Sequence, residues 1–410
     1  MNRNQLSLLL FLLVVVGIGG LMVYRKQNDV RGTGDPAIGK KLLGDLPVND
    51  IARISIKQDT NELNLVKKDG RWRVRERNDY PANYSEISEF LLKARDLKIV
   101  QSERVGASQL SRLALVPGQG TNAASVLELR DQNDKLIQSV LLGKKHMQKS
   151  KSPSPFGDMG DSGWPDGRYV KVGSGSDTVA LISDALSNVE PKPESWLNKD
   201  FIKVEKVRSI TVNFPAATNS WKISRDTETA EWKLTDAKPE EKLDSSKTSS
   251  LSNPLSSPSF TDVDTKSTPE QLGLDKPTSV TLDTFDDFTY ALKVGQKTND
   301  NYALALNISA QIPKERTPGK DEKPEDKTKL DKEFKEKTQK LQDKLDQEQA
   351  CDKWVYLVSS WTLDPLLKER SQLLVEKKEE PKKEDKPTAS LTETNAVPAT
   401  SAAPNLSGAK

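Results

Sequence analysis

Apolar residues alternate with polar ones in three short segments near the start of the mainly polar part of the chain, which follows an apolar N-terminal segment. The alternation runs through residues 51–56, 63–65 and 72–74, and an Asp69-Gly70 pair separates the last two segments. A period of two is typical of strands that bury one face, and Asp-Gly is a strong hairpin signal. The pattern therefore predicts strand, strand, turn and strand, beginning near Asn49.

A helical pattern follows these strands. Asn83 is an N-cap residue type, and Glu86 stands three positions later, as in a capping box. The apolar residues that follow share one helical face: Ile87, Phe90, Leu91, Ala94 and Leu97. The sequence therefore predicts a helix that covers one face of the sheet.

The same order of features returns about one domain length later. The matched segments are 51–56 with 207–212, 71–74 with 231–234, 112–115 with 271–274, 125–128 with 279–282, 142–145 with 294–297, and 169–170 with 354–355. Self-similarity of this kind indicates an internal duplication. The covering helix is weaker in the second copy, because residues 244–260 are serine-rich and contain Pro254 and Pro258.

The N-terminal segment 6–24 is uncharged and almost wholly apolar, which is long enough for a helix that spans a bilayer. The alternative is a cleaved signal peptide, because small residues at Gly17, Gly19 and Gly20 suit a processing site. Basic residues on the far side of the segment argue for a cytoplasmic body. A very short N-terminal tail before the apolar run argues for a signal anchor, and we favour export on that ground.

These patterns predict an α+β protein in which one N-terminal transmembrane helix precedes two tandem repeats of antiparallel sheet plus covering helix. The expected segments are a transmembrane anchor at 6–24, a linker at 25–48, repeat one at 49–190, a bridge at 191–204, repeat two at 205–375 with a charged helical insert at 312–350, and a disordered tail at 376–410. The insert has a thin apolar stripe of coiled-coil type. We expect it to protrude and to be dispensable for folding.

Composition excludes several kinds of site. Lys and Arg number 62 and Asp and Glu number 60, so the chain has too little net positive charge to attract nucleic acid. One cysteine, Cys351, rules out an intrachain disulfide and a zinc site of several thiolates. One histidine, His146, rules out a histidine pair on a metal. We therefore expect no cofactor, no metal and no nucleic-acid partner.

The chain resembles the family known as domain of unknown function 4340. The likeness is carried by the N-terminal span, by residues 49–56, by the turn and strand at 68–74 with the helix after them, and by the bridge residues 195–200. The resemblance implies a membrane-anchored extracytoplasmic protein, often encoded beside transporters of the gliding-motility ABC type. It implies no catalytic residue.

Two polar segments are candidate metal or catalytic sites. His146 lies in a basic run that we interpret as a surface loop, where it has no buried neighbour to make it a base. Asp158, Asp161 and Asp166 share a glycine-rich loop, but their spacing fails the EF-hand pattern of calcium ligands. We interpret that loop as a solvated hairpin connection.

Four arginines form the candidate anion-binding face. Arg71, Arg73, Arg75 and Arg77 alternate, so one continuous strand would project all four from the same side. Guanidinium groups in a row suit phosphate or an anionic glycan. An ordinary solvated strand face is the competing interpretation.

The sequence favours a non-enzymatic, membrane-anchored extracytoplasmic scaffold or binding protein, and the resemblance implies a role as an accessory of an ABC-type transporter. The expected location is the inner (cytoplasmic) membrane, with a single span and the body in the periplasm or extracytoplasmic space. Expected partners are the membrane and other envelope or transporter proteins. The alternative is a glycan-binding protein of the envelope or a glycoside hydrolase.

Overall fold

A computed structural model describes residues 37–118, 120, 122–148, 163–173, 178–319 and 322–376. The predicted anchor at 6–24 and the predicted tail beyond residue 376 lie outside these ranges. Among the helices within them, none is long and apolar enough to cross a membrane.

Two antiparallel sheets and a few helices make up the described part of the chain. The strands of the first sheet are β1 Arg53–Gln58, β2 Asn61–Lys68, β3 Arg71–Val74, β4 Tyr80–Pro81, β5 Ile99–Arg104, β6 Ser125–Arg130, β7 Leu136–Gln148, β8 Trp164–Val172 and β9 Thr178–Ile182. Their spatial order is β4-β3-β2-β1-β6-β7-β8-β9-β5.

The second sheet lies in the C-terminal half. Its strands are β10 Val207–Asn213, β11 Trp221–Ser224, β12 Lys233–Leu234, β13 Phe260–Asp264, β14 Thr278–Thr284, β15 Phe288–Thr298, β16 Asn301–Ala310 and β17 Val355–Ser359. Their spatial order is β12-β11-β10-β14-β15-β16-β17-β13.

Six α-helices connect or cover the sheets in the described ranges. They are α1 Tyr84–Asp96, α2 Ala107–Arg112, α3 Ser245–Thr248, α4 Pro324–Gln349, α5 Ser360–Leu363 and α6 Arg370–Leu373. The long α1 buries Ile87, Phe90, Leu91 and Ala94. Its counterpart in the second half is reduced to the one-turn α3 and a following 3-10 turn, as the prolines and serines there predict.

Local signals explain two of these elements. Asp69 and Gly70 both have positive φ, at 49° and 75°, which is the backbone of a two-residue hairpin loop between β2 and β3. The Asn83 side chain accepts hydrogen bonds from the amides of Ser85 and Glu86, which satisfies the first turn of α1. Both predictions are confirmed.

The second sheet repeats the strand order of the first. With β10 placed on β1, the remaining strands follow the same path, and β4 is an additional edge strand in the first half. The match of 169–170 with 354–355 is wrong, because β8 corresponds to β16 and not to β17. The match of 125–128 with 279–282 is one residue out of register. Short alternating strands resemble one another closely enough to cause both errors.

A second shared feature lies on a long strand of each sheet. In the first half, Leu113 follows α2 and its carbonyl accepts a hydrogen bond from the Lys144 amide, 2.8 Å away. In the second half, the Leu272 carbonyl accepts from the Gln296 amide at 2.9 Å. We call these segments, 110–115 and 269–274, the docked turns. Each has a left-handed residue, Ala114 or Gly273, as helix ends commonly do.

Glycines in the long strands allow this close approach. A Cβ on Gly143 would lie 2.4 Å from the Leu113 carbonyl oxygen, and one on Gly295 would lie 2.0 Å from the Leu272 oxygen. Such distances leave no room for a side chain. Glycine is therefore required where each docked turn meets its sheet.

The N-terminal edge of the folded body lies within the segment predicted as a linker. Leu43 and Leu46 are buried in the hydrophobic core. The amide of Leu42 donates to the Leu97 carbonyl, and that of Gly39 donates to the Ile99 carbonyl. Residues from Gly39 onward thus pack beside the end of α1 and the start of β5.

The charged insert is attached at its C-terminal end, so the expectation that it protrudes is wrong there. Leu345 and Glu348 of α4 are buried. The Glu348 carboxylate accepts hydrogen bonds from the Tyr290 hydroxyl and the Lys203 amide, each at 2.8 Å. One buried carboxylate with good donors compensates for the narrow apolar stripe, because it accepts hydrogen bonds from two groups of the body.

Candidate functional site

The predicted arginine face is divided between two elements. Only Arg71 and Arg73 lie on β3, while Arg75 and Arg77 form a 3-10 turn at Arg75–Arg77. The prediction that the four share one strand is therefore wrong. The strand ends at Val74, and the chain turns back through two residues with positive φ, Asn78 and Asp79. Alternation of residue types cannot reveal such a turn.

Arg77 forms part of the contact between the two halves. Its guanidinium donates to both carboxylate oxygens of Asp262, with nitrogen to oxygen distances of 2.7 Å and 2.6 Å, and Glu194 lies 3.6 Å away. The hydrogen bond to Asp262 raises the pKa of Arg77. A bidentate pair of this kind fixes orientation as well as distance. Arg77 therefore acts as a structural link.

Aromatic side chains continue this contact. The ring of Tyr80 on β4 packs edge-on against Phe260 of β13, with centroids 6.0 Å apart, and against Tyr356 of β17 at 6.3 Å. Burial raises the pKa values of Tyr80 and Tyr356 above the usual range of a phenol. We call the Arg77–Asp262 pair with these three rings the seam.

The bridge between the repeats also joins the seam. Leu197 pairs with Ala82 beside β4, and the Asn83 amide donates to the Trp196 carbonyl at 2.8 Å. The ammonium of Lys199 donates to the Phe260 and Thr261 carbonyls and lies 4.4 Å from the Phe260 ring centroid. The covalent connection is thus packed on both halves, and the two sheets form one body.

His146 lies in a strand, so its interpretation as a loop residue is wrong. It belongs to β7, and its Nδ1 lies 2.5 Å from a carboxylate oxygen of Asp166 on the neighbouring β8. Asp158 and Asp161 of the acidic segment lie outside the described residues. Within the described residues, no group of three or more His, Cys, Asp or Glu side chains is arranged to hold a metal ion.

A groove of ≈ 550 Å³ opens beside His146 on the first sheet. We define this basic groove by six of its residues, Gln101, Gln109, Arg112, Lys144, His146 and Tyr169. The docked turn creates it, because the hydrogen bond between Leu113 and Lys144 brings Arg112 beside β7. Two cations from distant parts of the chain thereby line one groove.

The basic groove is lined by more positive than negative side chains. Lys145 and Glu103 also line it, and Lys145 lies 3.4 Å from a carboxylate oxygen of Glu190. No carboxylate in the described part of the chain lies within ion-pair distance of Arg112 or Lys144. These two side chains are exposed and available to a negatively charged ligand.

The equivalent place in the second half is constructed differently. Gln271 and Gln296 stand where the first half has Arg112 and Lys144. The Gln296 side-chain amide donates to the Gln271 carbonyl at 2.6 Å and so lies across the docked turn. Ala303 occupies the position of Tyr169. At these three equivalent positions, the two positive charges and the aromatic ring therefore occur in the first half alone.

A smaller cavity of ≈ 320 Å³ lies between α1 and the segment after β9. Glu89 and Asp184 are among its carboxylates. Glu89 pairs with Lys93 at 2.7 Å, and Asp184 accepts from the Leu186 amide at 2.7 Å. Both carboxylates thus have partners within the protein and contribute to local structure.

Asp352 is a carboxyl group with a raised pKa, and burial is the cause. It accepts hydrogen bonds from the Asn307 side chain at 3.2 Å and the Ile308 amide at 3.3 Å. These bonds tie the segment after α4 to β16, which gives Asp352 a structural role.

Comparison with known proteins identifies the family. The family model described as "Domain of unknown function (DUF4340)" matches residues 72–277, which is half of the chain. The protein belongs to the DUF4340 family. The match begins within β3 and ends just before β14, so it includes the basic groove, the bridge and the seam residues Arg77, Tyr80, Phe260 and Asp262. Neither curated proteins nor solved structures give a significant match.

Sequence reasoning missed Arg112 and Lys144 as site residues. Both appeared only as members of matched repeat segments. The available signal was the difference between the repeats, because two positions that are cationic in one copy are glutamines in the other. Sequence comparison of the repeats could have shown that change, but not that the two positions meet in space.

Proposed function

We propose that this DUF4340 protein is a non-enzymatic, membrane-anchored extracytoplasmic scaffold or binding protein that works beside an ABC-type transporter. The observation that carries the proposal is the seam, which joins two large sheets through an ion pair, packed rings and a docked bridge. A rigid body of this kind presents fixed surfaces to a partner, and preorganisation lowers the entropy cost of binding.

We further propose that the two halves arose by duplication of one sheet-and-helix unit. The shared strand order supports this, and so do the two docked turns with their glycines at equivalent places. Duplication leaves one copy free to change its surface while the other keeps its own. The basic groove in the first half is such a difference.

The N-terminal segment 6–24 supports the membrane part of the proposal, since its length and composition suit a single span. The test is a pair of reporter fusions placed after residue 375, one active only in the periplasm and one only in the cytoplasm. We expect activity from the periplasmic reporter alone. The matched control deletes residues 6–24 and should abolish that activity, and a signal from the cytoplasmic reporter of the intact chain would refute export.

The scaffold part requires a separate experiment. The full chain, cross-linked in intact membranes and purified, should carry an envelope or transporter protein identified by mass spectrometry. The chain lacking residues 6–24 should not enrich that protein. Recovery of the same proteins with both chains would count against a membrane scaffold.

A further inference from the structure

We propose that the basic groove of the first half binds an acidic saccharide, a sugar that carries a carboxylate or a phosphate. This inference names a ligand class for the binding function proposed above and rests on it. It starts from the two exposed cations, Arg112 and Lys144, that the docked turn brings to one groove. Arginine and lysine are the side chains that recognise carboxylate and phosphate.

The remaining lining favours a sugar over a bare anion. Gln101 and Gln109 carry amides that can both donate and accept hydrogen bonds, as hydroxyl groups require. Tyr169 supplies an aromatic ring, and the His146 ring lies edge-on to it with centroids 6.1 Å apart. A mainly polar lining with one aromatic ring suits a sugar, whose hydroxyl groups need hydrogen-bond partners and whose ring can pack on an aromatic face. A groove of ≈ 550 Å³ is also larger than a simple ion needs.

The second half has the same docked turn without the two cations and is therefore an internal control. Its docked turn has the same backbone contact, so neither Arg112 nor Lys144 is needed to form that structure. Glutamines replace both cations there, and one of them closes over the turn. The charges of the first half are therefore surplus to folding, which is what a ligand site requires.

The test measures binding by calorimetry to the full-length chain in mild detergent. The probes are trigalacturonate as the carboxylated sugar, glucose 6-phosphate as the phosphorylated sugar, maltotriose as the neutral sugar and inorganic phosphate as the bare anion. We expect one of the two acidic sugars to bind at least tenfold more tightly than maltotriose and inorganic phosphate. Equal binding of inorganic phosphate, or no binding of either acidic sugar, would overturn the proposal.

Variants then locate the site. The double change Arg112→Gln and Lys144→Gln installs the residues of the second half and should weaken acidic-sugar binding at least tenfold. Tyr169→Ala should weaken it as well. The matched control, Lys276→Gln with Lys293→Gln, removes two exposed lysines of the second half and should leave binding unchanged. Equal losses in both double variants would show general charge attraction and refute the groove.

Folding and localisation are kept separate from this result. The variants at Arg112, Lys144, Lys276 and Lys293 must retain the thermal unfolding midpoint of the unchanged chain, which exposed positions should permit. The Tyr169→Ala chain, changed at a half-buried position, must still unfold in one cooperative transition above the temperature of the binding measurement. The reciprocal change, Gln271→Arg with Gln296→Lys, should not create a site of equal affinity, because Ala303 supplies no ring. Reporter fusions that place the body in the cytoplasm would refute the proposed location while leaving the binding result intact.

Discussion

The guanidinium of Arg77 donates hydrogen bonds to both carboxylate oxygens of Asp262, which lies 185 positions away in the sequence, and so connects the turn after β3 to strand β13. Side-chain exposure is only 15% for Arg77 and 22% for Asp262, so water competes weakly for these hydrogen bonds. The pair is therefore a major contributor to the seam.

Removing one partner should destabilise the body. We expect Arg77→Ala to lower the free energy of unfolding by about 2 kcal/mol, because the half-buried Asp262 carboxylate loses a charged bidentate partner. Arg77→Lys should recover only part of the loss, since an ammonium cannot form the two-point contact. Urea denaturation checks both variants. Arg71→Ala on the neighbouring strand is exposed and should change stability by less than about 0.5 kcal/mol.

Glu348 should control how the insert attaches. We expect Glu348→Ala to cost about 2 to 4 kcal/mol, because the Lys203 amide loses its acceptor and the Tyr290 hydroxyl keeps only a longer contact of 3.3 Å with the Lys203 carbonyl. Amide hydrogen exchange should rise in the last turns of α4. Glu333→Ala removes an exposed carboxylate from the same helix and should have little effect. Equal stability of the two variants would show that the Glu348 contacts do not hold the insert to the body.

The contacts of Glu348 also change the expectation for deletion of the insert. Replacing residues 314–349 with a short Gly/Ser linker removes Leu345 and Glu348 together. We expect a fall of more than 5 °C in the unfolding temperature, measured by circular dichroism. A fall of that size corresponds to roughly 1 to 2 kcal/mol in a domain of this size. An unchanged midpoint would restore the view that the insert is dispensable.

The docked turns should fail when their glycines acquire side chains. Gly143→Ala and Gly295→Ala place a Cβ against a carbonyl oxygen, and each should cost about 1 to 3 kcal/mol as the turn shifts away. Hydrogen exchange at the Lys144 and Gln296 amides should increase in the respective variants. Gly319→Ala is the matched control, because its Cβ meets nothing within 4 Å. Similar losses in all three variants would contradict the steric explanation.

Acid should weaken the contact between Glu241 and α6. Hydrogen bonds from Arg370 lower the pKa of Glu241 to about 2, from an ordinary value of 4.5. The unfolded chain therefore takes up this proton first, and the stabilisation is lost as the pH falls from 4.5 towards 2. Glu241→Gln should flatten the decline of stability across that window, and an unchanged decline in this variant would contradict the role of Glu241. Denaturation midpoints at successive pH values provide the measurement.

The sequence by itself determined features that depend on near neighbours. Alternation located the strands around Ile54 and Leu65, and the Asp69-Gly70 pair identified the hairpin between β2 and β3. The Asn83 cap and the apolar face of α1 were also predicted correctly. Residues within a few positions of one another control these elements, so local backbone preferences and side-chain spacing suffice.

Tertiary structure alone decided the seam, the anchored insert and the basic groove. Arg77 finds Asp262 only when two sheets are packed together, and Arg112 meets Lys144 only because a carbonyl of Leu113 docks on β7. Left-handed residues at Asn78 and Asp79 also separated the arginines that alternation had placed in one row. Contacts between distant residues arise from the packing of whole elements, and residue spacing along the chain carries no measure of that packing.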